Sequence, residues 1–108
     1  MPISKKWSRA TRSNIEANVP NAAGVYELKC FGQLVYIGHS TNLRRRLVEH
    51  LRREPNAYRY RRCGMMQSSK ALEDRHLERY EDRHGELPPW NRNDTRSPQT
   101  GFLRRLLG

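Results

Sequence analysis

One acidic side chain falls on the predicted buried face of a helix. A cap at Ser68 or Ser69 begins this helix, which is predicted to run to His84 and to end at Gly85. At about 100° per residue, Glu73 lies in the middle of its apolar face. A carboxylate there costs several kcal/mol unless it is paired or binds a cation. Glu73 is therefore either the partner of an arginine or a metal ligand.

The other side chains of this helix divide into two faces. The apolar face is predicted to carry Leu72, His76, Leu77, Tyr80 and His84. The solvent side is predicted to carry Asp74, Glu78, Glu81 and Asp82. His39, His76 and His84 form no compact ligand set with an acid along the sequence, so zinc is not expected. His76 is interpreted as a histidine at the edge of the core, and the other two as surface or phosphate-contacting residues.

An earlier helix places an arginine and a histidine beside its apolar stripe. A cap at Ser40 or Thr41 is predicted to start it, and it runs to about Arg53, before Pro55. Its stripe consists of Leu43, Leu47 and Leu51. Arg46 and His50 lie one turn apart on the border of that stripe. Arg46 can therefore either extend to water, as border arginines ordinarily do, or point along the sheet into a cleft.

A tyrosine pair occupies the two strands that precede this helix. The stretch GVYELKCFGQLVYIG predicts a hairpin with strands Gly24 to Cys30 and Leu34 to Gly38 around a turn at residues 31–33. With a three-residue turn, Tyr26 and Tyr36 share one face of the sheet, whereas a two-residue turn places them on opposite faces. Gly32 favours the three-residue turn slightly, because it is then free to adopt a left-handed conformation. The pair is also explained by packing alone, since tyrosine is a favoured strand residue.

The remaining segments complete a small α/β (α+β) domain. Residues 7–18 are predicted to form a short helix, 58–65 a third strand, 87–98 a loop and 102–107 a last short helix. The expected architecture is a mainly antiparallel three-stranded sheet flanked by helices, in one domain over residues 1–108. The motif-bearing core spans about 20–92, and the tail 93–108 is left unassigned.

The charge of the chain favours nucleic acid as a partner. Of its 21 cationic residues 17 are arginine, and the net charge is +10. Arginine binds phosphate through two parallel hydrogen bonds. The residues predicted to bind nucleic acid are Arg44, Arg45, Arg46, Arg53, Arg59, Arg61 and Arg62. No segment is apolar enough to span a bilayer, and Cys30 and Cys63 are expected to be reduced thiols of a cytoplasmic protein.

Taken together, these residues resemble the GIY-YIG nuclease family. Its name-giving motifs are matched by Gly24-Val25-Tyr26 and Tyr36-Ile37-Gly38. The next helix, STNLRRRLVEH, is similar to the Ser-x-Asn-Leu-x-x-Arg motif of the family with a histidine one turn later. ALEDRHLERY around Glu73 and PPWN ending in Asn91 continue the similarity, which covers roughly residues 7–92. Val25 stands where the family name has isoleucine.

The resemblance implies an endonuclease that cuts DNA phosphodiester bonds with one divalent cation, Mg²⁺ or Mn²⁺. It implies that Glu73 holds the metal and that Arg46 binds the scissile phosphate. Tyr26 would be the candidate general base, Tyr36 would position the water or the phosphate, and His50 would share the proton transfer. Asn91 would orient the metal site or the phosphate. A phenol ordinarily ionises near pH 10, so nearby positive charge must assist it as a base at neutral pH.

The sequence is also compatible with two alternatives to an enzyme. A nucleic-acid-binding module can keep the same fold and not cut, and a basic RNA-associated protein would bind RNA regardless of Glu73. For the enzyme, the sequence leaves open whether the DNA is branched, single-stranded or duplex. It also leaves open whether a homodimer forms, which cutting both strands would require.

Overall fold

A four-stranded antiparallel sheet with the order β1-β4-β2-β3 organises this small α+β domain. The computed structural model describes residues 6–64 and 68–92. Its elements in chain order are β1 (Ser8–Arg9), α1 (Arg12–Asn18), β2 (Gly24–Cys30), β3 (Gln33–Ser40), α2 (Leu43–His50), β4 (Ala57–Arg62), α3 (Ser69–His84) and α4 (Pro89–Arg92), with a 3₁₀ turn over Leu51–Arg53. No described helix has the length and apolar character needed to cross a membrane.

The sheet has one strand more than predicted, because the first predicted helix begins later than expected. Thr11 is the N-cap of α1, and its hydroxyl accepts a hydrogen bond from the Asn14 amide at 3.2 Å. Ser8 and Arg9 precede this cap and pair with β4 as the short edge strand β1. Similarly, the predicted loop 87–98 contains the short helix α4. The predicted helix 102–107 lies outside the described residues.

The N-cap of helix α2 lies one or two residues after the predicted cap at Ser40 or Thr41. Asn42 is the N-cap, and its side chain accepts a hydrogen bond from the Arg45 amide at 3.1 Å. The Ser40 hydroxyl instead accepts from the Asn42 amide at 2.9 Å in a local turn. At the other end the α-helix gives way to the 3₁₀ turn, so His50 is buried while Leu51 is only half-buried. His50 thereby becomes a member of the buried face instead of its border.

The predicted three-residue hairpin turn is wrong. Phe31 and Gly32 alone form the turn, with φ of +48° and +81°. Positive φ at both central residues is the type I′ pattern, whose right-handed twist matches that of the flanking strands. This conformation is disfavoured for a bulky residue by about 1 kcal/mol, and asparagine or glycine is the usual choice.

A β-bulge compensates for the shorter turn. Next to the turn Lys29 pairs with Leu34, but beyond it Leu28 pairs with Tyr36, so Val35 is one extra residue in β3. The bulge restores the register that a three-residue turn would have given. Tyr26 and Tyr36 consequently lie on the same face, as predicted, with ring centroids 6.0 Å apart.

The two faces of the sheet carry separate parts of the core. On the tyrosine face, residues of α1 and α2 close the main cluster, which includes Ile15, Val19, Tyr26, Leu28, Val35, Tyr36, Leu43, Leu47 and Tyr58. On the opposite face, α3 packs Leu72 against Val25, and Leu77 with Leu87 against Ile37. The sheet therefore separates two layers of helices, and beyond the bulge successive residues of the edge strand β3 face different layers.

The buried stripe of α3 differs from the predicted one at its C-terminal end. Glu73 and Leu77 are buried as expected, but Glu81 is also buried and His84 is exposed. Residues 73, 77 and 81 follow one another at steps of four, so the helix contacts the sheet along this row. The predicted assignment of Glu81 to the solvent side and of His84 to the apolar face is therefore wrong. His84 stacks on Tyr80 instead, with ring centroids 4.2 Å apart.

His76 is buried on α3 with its pKa lowered to about 4, chiefly because burial disfavours the charged ring, and also because Arg79 and Arg61 lie nearby. An unfolded chain protonates this histidine near its ordinary pKa of about 6.5, whereas the folded chain resists protonation down to about 4. The unfolded state thus binds the proton first. The contribution of His76 to stability is therefore present above pH 6.5 and is lost as the pH falls toward 4.

We expect His76→Gln to reduce the acid sensitivity of folding. The free energy of unfolding, measured with urea from pH 7 to pH 4.5, should fall by about 2 kcal/mol less in this variant than in the wild type. His84→Gln, which alters an exposed ring on the same helix, should follow the wild-type curve. Parallel curves for all three proteins would show that His76 does not resist protonation in the folded state.

Candidate active site

The centre of the candidate site is a contact between Tyr26 and His50. The Tyr26 hydroxyl lies 2.6 Å from His50 Nε2, a short hydrogen bond between side chains that are 1% and 5% exposed. Tyr36 lies beside both, with its ring centroid 5.0 Å from that of His50. Strand β2, strand β3 and helix α2 each supply one of these three residues. A hydroxyl and an imidazole nitrogen are thus held in direct proton-transfer distance.

Glycine is required next to this cluster. A Cβ atom built at Gly38 would lie 2.5 Å from both Cζ and the hydroxyl oxygen of Tyr26, and 2.7 Å from Cε2 of Tyr36. No side chain fits there unless the tyrosines move. At Gly24 a Cβ would overlap the carbonyl of Arg61, and it would lie 2.8 Å from Cδ1 of Leu43. Both motif glycines thus have a steric reason, and Gly38 is the one that lets the Tyr26 hydroxyl lie against the backbone of β3.

Glu73 contacts a histidine on the other side of β3. His39 Nδ1 lies 2.9 Å from Glu73 Oε1, although the nitrogen does not point at the oxygen as in an aligned hydrogen bond. Among the described residues no arginine forms an ion pair with Glu73, so of the two predicted alternatives the arginine partner is not found, and the carboxylate contacts His39. His39 directly follows Gly38 in β3, which brings the carboxylate to the same stretch of strand as the Tyr26 hydroxyl.

Asn91 binds the backbone of the edge strand. Its Oδ1 accepts a hydrogen bond from the Ile37 amide, and its Nδ2 donates one to the Ile37 carbonyl, both at 2.9 Å. The side-chain amide therefore pairs with β3 as one residue of a further strand would. Ile37 stands between Tyr36 and Gly38, so this pairing fixes the strand at the point where the tyrosines are carried.

Arg46 lies on α2 one turn before His50. Its side chain is about one-third exposed, and Nη1 lies 3.6 Å from Glu49 Oε1. Such a long surface pair contributes little to stability and does not hold the guanidinium firmly. Arg53, in the 3₁₀ turn after α2, lies 4.5 Å above the ring of Trp90 and 5.8 Å from that of Tyr36. Arg53 thus packs on Trp90 and lies at the edge of the tyrosine cluster, beside Tyr36.

The arginines predicted to bind nucleic acid divide into structural and exposed members. Arg44 Nε donates to the Val19 carbonyl at 2.7 Å, and Arg59 Nε donates to Glu27 Oε1 at 2.6 Å. Their guanidinium groups thus have structural partners. The exposed members are Arg45, Arg53, Arg61 and Arg62, and Arg46 is half-buried.

Two contacts of the site region were not anticipated from the sequence. The first is the contact of His39 with Glu73. The second is the ion pair of Arg59 with Glu27, in which the Glu27 side chain is completely buried. Burial raises the pKa of Glu27, and the hydrogen bond from Arg59 acts in the opposite direction. The sequence GVYELKC could have indicated the second contact. Glu27 lies in the middle of a strand that is predicted to be buried, so its carboxylate needs a partner.

The donor atoms at Glu73 fit a cation that is shared with a substrate. The described residues contain no cluster of three or more histidine, cysteine or acidic side chains. A single buried carboxylate does not make a zinc site, which needs three or four protein ligands. Magnesium, in contrast, is commonly held by one or two carboxylates, several waters and the phosphate of the substrate. Glu73 therefore fits Mg²⁺ or Mn²⁺ in that mode.

Comparison with known families adds a family assignment. A domain of unknown function, DUF7508, matches residues 1–79. The chain belongs to the DUF7508 family. The part matched to DUF7508 includes Tyr26, Tyr36, Arg46, His50 and Glu73, whereas Asn91 lies beyond it. A search of curated proteins found no match.

We expect Asn91 to stabilise the DUF7508 domain through β3. Asn91→Ala removes two buried hydrogen bonds and leaves the Ile37 amide and carbonyl without them, which should cost about 2 kcal/mol in urea unfolding. Hydrogen exchange at the Ile37 amide should also accelerate. Asn21→Ala, at an exposed position, should change stability by less than about 0.5 kcal/mol. Equal stability of Asn91→Ala and wild type would contradict this role.

Proposed function

We propose that this protein is a metal-dependent DNA endonuclease with a GIY-YIG-like fold and site. The observation that supports it most strongly is the 2.6 Å contact of the Tyr26 hydroxyl with His50 Nε2, beside Tyr36 and against Gly38. Packing alone would require the rings, but it would not require a buried hydroxyl and a buried nitrogen at proton-transfer distance. The positive charge of the chain is consistent with a phosphodiester substrate.

In this proposal Tyr26 and His50 activate water together. As the Tyr26 oxygen takes a proton from the attacking water, its own proton passes to Nε2 of His50, provided that this nitrogen is unprotonated. The net result is a hydroxide-like nucleophile and an imidazolium, with no free phenolate formed in advance. A phenol thereby serves as a base near neutral pH, because the imidazole is the final proton acceptor.

Arg46 binds the phosphate, and Tyr36 orients the attacking water. Arg46 is held loosely at Glu49, so its guanidinium can turn to a substrate one turn from His50 and donate two hydrogen bonds to the non-bridging oxygens. These bonds strengthen as charge builds up in the transition state. The ring of Tyr36 packs against those of Tyr26 and His50, which fixes the direction from which water approaches.

Glu73 would hold Mg²⁺ or Mn²⁺ across the edge strand. The bound cation would neutralise a non-bridging and the leaving oxygen of the phosphate. The contact with His39, 2.9 Å from the carboxylate, would limit the movement of Glu73 beside β3. Asn91 contributes indirectly, since its amide orients the β3 backbone between the two halves of the site.

A second candidate is a nucleic-acid-binding module of the same fold that does not cut. The observation that favours it is burial, because Tyr26, Tyr36, His50 and Asn91 are each no more than 5% exposed. Substrate has to reach the Tyr26 oxygen for catalysis. In the non-catalytic alternative these residues form a polar core, and the exposed arginines carry the binding.

A cleavage assay separates the two candidates. Purified protein is incubated with duplex, flap, junction and single-stranded DNA in Mg²⁺ or Mn²⁺, and with EDTA as the blank. We expect metal-dependent cutting by the wild type, with a loss of at least about a hundredfold in Tyr26→Phe and in Glu73→Gln. Asp74→Asn changes the neighbouring acid, which pairs with Lys70 at the surface, and should cut at the wild-type rate.

Each part of the nuclease proposal has a result that would contradict it. DNA binding by the wild type without nicking in either metal would establish the non-catalytic alternative. Undiminished cutting by Glu73→Gln would place the metal elsewhere, and a wild-type rate in Tyr26→Phe would remove that hydroxyl from the mechanism.

A further inference from the structure

A bulky aromatic side chain projects from the tip of the β2–β3 hairpin. Phe31 is 90% exposed. Within residues 6–64 and 68–92 no other large apolar side chain is exposed to solvent. It makes no contribution to any part of the core. Burial therefore does not account for a phenylalanine at this position.

Turn geometry does not account for it either. Phe31 has a φ of +48° at the first central position of a type I′ turn, where asparagine is the favoured residue and a bulky side chain is disfavoured. The strained conformation is nevertheless held firmly. The Phe31 amide donates to Asn56 Oδ1 at 2.6 Å, and the Asn56 amide donates to the Lys29 carbonyl at 2.9 Å. Strain kept in place by its surroundings is a common feature of functional sites.

A positively charged cleft begins directly beside this turn. Its volume is about 470 Å³, and Gly32, Gln33 and Leu34 form its hairpin side. The facing side is the C-terminal half of α3, with Arg79, Tyr80, Arg83 and His84. In its floor, Glu27 is paired with Arg59, so its negative charge is compensated. The cleft thus offers two exposed guanidinium groups and an aromatic ring, and Gly32, which follows Phe31 in the turn, lies at its hairpin side.

These features together define which chemical groups a ligand of the cleft must present. It must present a flat, unstacked apolar ring to Phe31 and negative charge to Arg79 and Arg83. Unpaired nucleotides have both, because their bases are free to stack on aromatic side chains while their phosphates bind arginine. Bases in a duplex are already stacked on each other and would not offer a face to Phe31. The net charge of +10 supports a nucleic acid over an apolar peptide.

We propose that Phe31 and the adjoining cleft bind an unpaired segment of the DNA substrate, with one base stacked on Phe31 and the phosphates on Arg79 and Arg83. This inference rests on the proposed function for the kind of polymer bound, and it adds which form of that polymer is preferred. Arg79 and Arg83 lie six and ten residues after Glu73, which corresponds to about 9 Å and 15 Å along α3. The unpaired strand therefore runs along α3, from the hairpin tip toward the metal ligand. Substrates with a single-stranded arm fit this arrangement better than intact duplex.

The test uses one variant for which stability and binding should change in opposite directions. Phe31→Asn installs the residue that the turn prefers, so its Tm should rise. Its affinity for fluorescein-labelled oligothymidine, measured by anisotropy in EDTA, should fall about tenfold relative to its affinity for duplex DNA. Phe31→Trp keeps a stacking ring and should retain oligothymidine binding.

The cleft is tested with charge variants on two helices. The double variant Arg79→Gln/Arg83→Gln should weaken oligothymidine binding. The slope of log K against log salt concentration should become less steep by about 1.4, as expected for the loss of two single-strand phosphate contacts. Arg12→Gln removes an exposed arginine from α1, which packs on the opposite face of the sheet, and should bind like the wild type.

The outcomes separate this inference from the proposed function. If Phe31→Asn binds oligothymidine as the wild type does, or if Phe31→Trp loses binding as Phe31→Asn does, stacking at Phe31 is disproved while the nuclease proposal stands. If Arg79→Gln/Arg83→Gln has the wild-type salt dependence, the cleft is not the path of the strand. If the wild type binds neither oligothymidine nor duplex, both proposals fail.

Discussion

The packing of two tyrosine rings over one glycine is the constraint on which the rest of the site depends. Tyr26 and Tyr36 share a face only because Val35 adds a residue to β3, and they approach its backbone only because Gly38 has no side chain. With the rings in this position, the hydroxyl of Tyr26 reaches His50 on α2 at 2.6 Å. A change in the hairpin register by one residue would separate these groups, since it would turn Tyr36 to the other face.

The edge strand β3 connects this cluster to the proposed metal ligand. Asn91 pairs with the backbone of Ile37, in the middle of the strand, and thereby takes the place of a neighbouring strand. Successive residues then face different helices, with Gly38 on the side of the tyrosines and His39 on the side of Glu73. In the proposed function, proton transfer and cation binding would therefore lie on opposite sides of the sheet, and a phosphate would bridge them at the sheet edge.

Local sequence predicted the elements of the fold better than their ends, and it predicted the buried position of Glu73 better than its partner. Helical spacing was sufficient to bury Glu73, but His39 comes from a strand more than thirty residues earlier, which periodicity does not reveal. The shared face of the tyrosines was predicted through an incorrect turn, because phenylalanine is disfavoured at positive φ and the bulge leaves no local sequence pattern. Tertiary contacts also decided the orientation of α3, where Glu81 is buried instead of His84.

The proposed mechanism requires that the contact of Tyr26 with His50 transfers a proton and is not merely packing. The single-turnover rate of plasmid nicking in Mg²⁺ by His50→Phe tests this most directly, because the variant keeps an aromatic ring beside both tyrosines and removes the nitrogen that is proposed to receive the proton. We expect cutting by the wild type and a loss of at least about a hundredfold in His50→Phe, with the fold retained. Nicking by His50→Phe at the wild-type rate would contradict this mechanism.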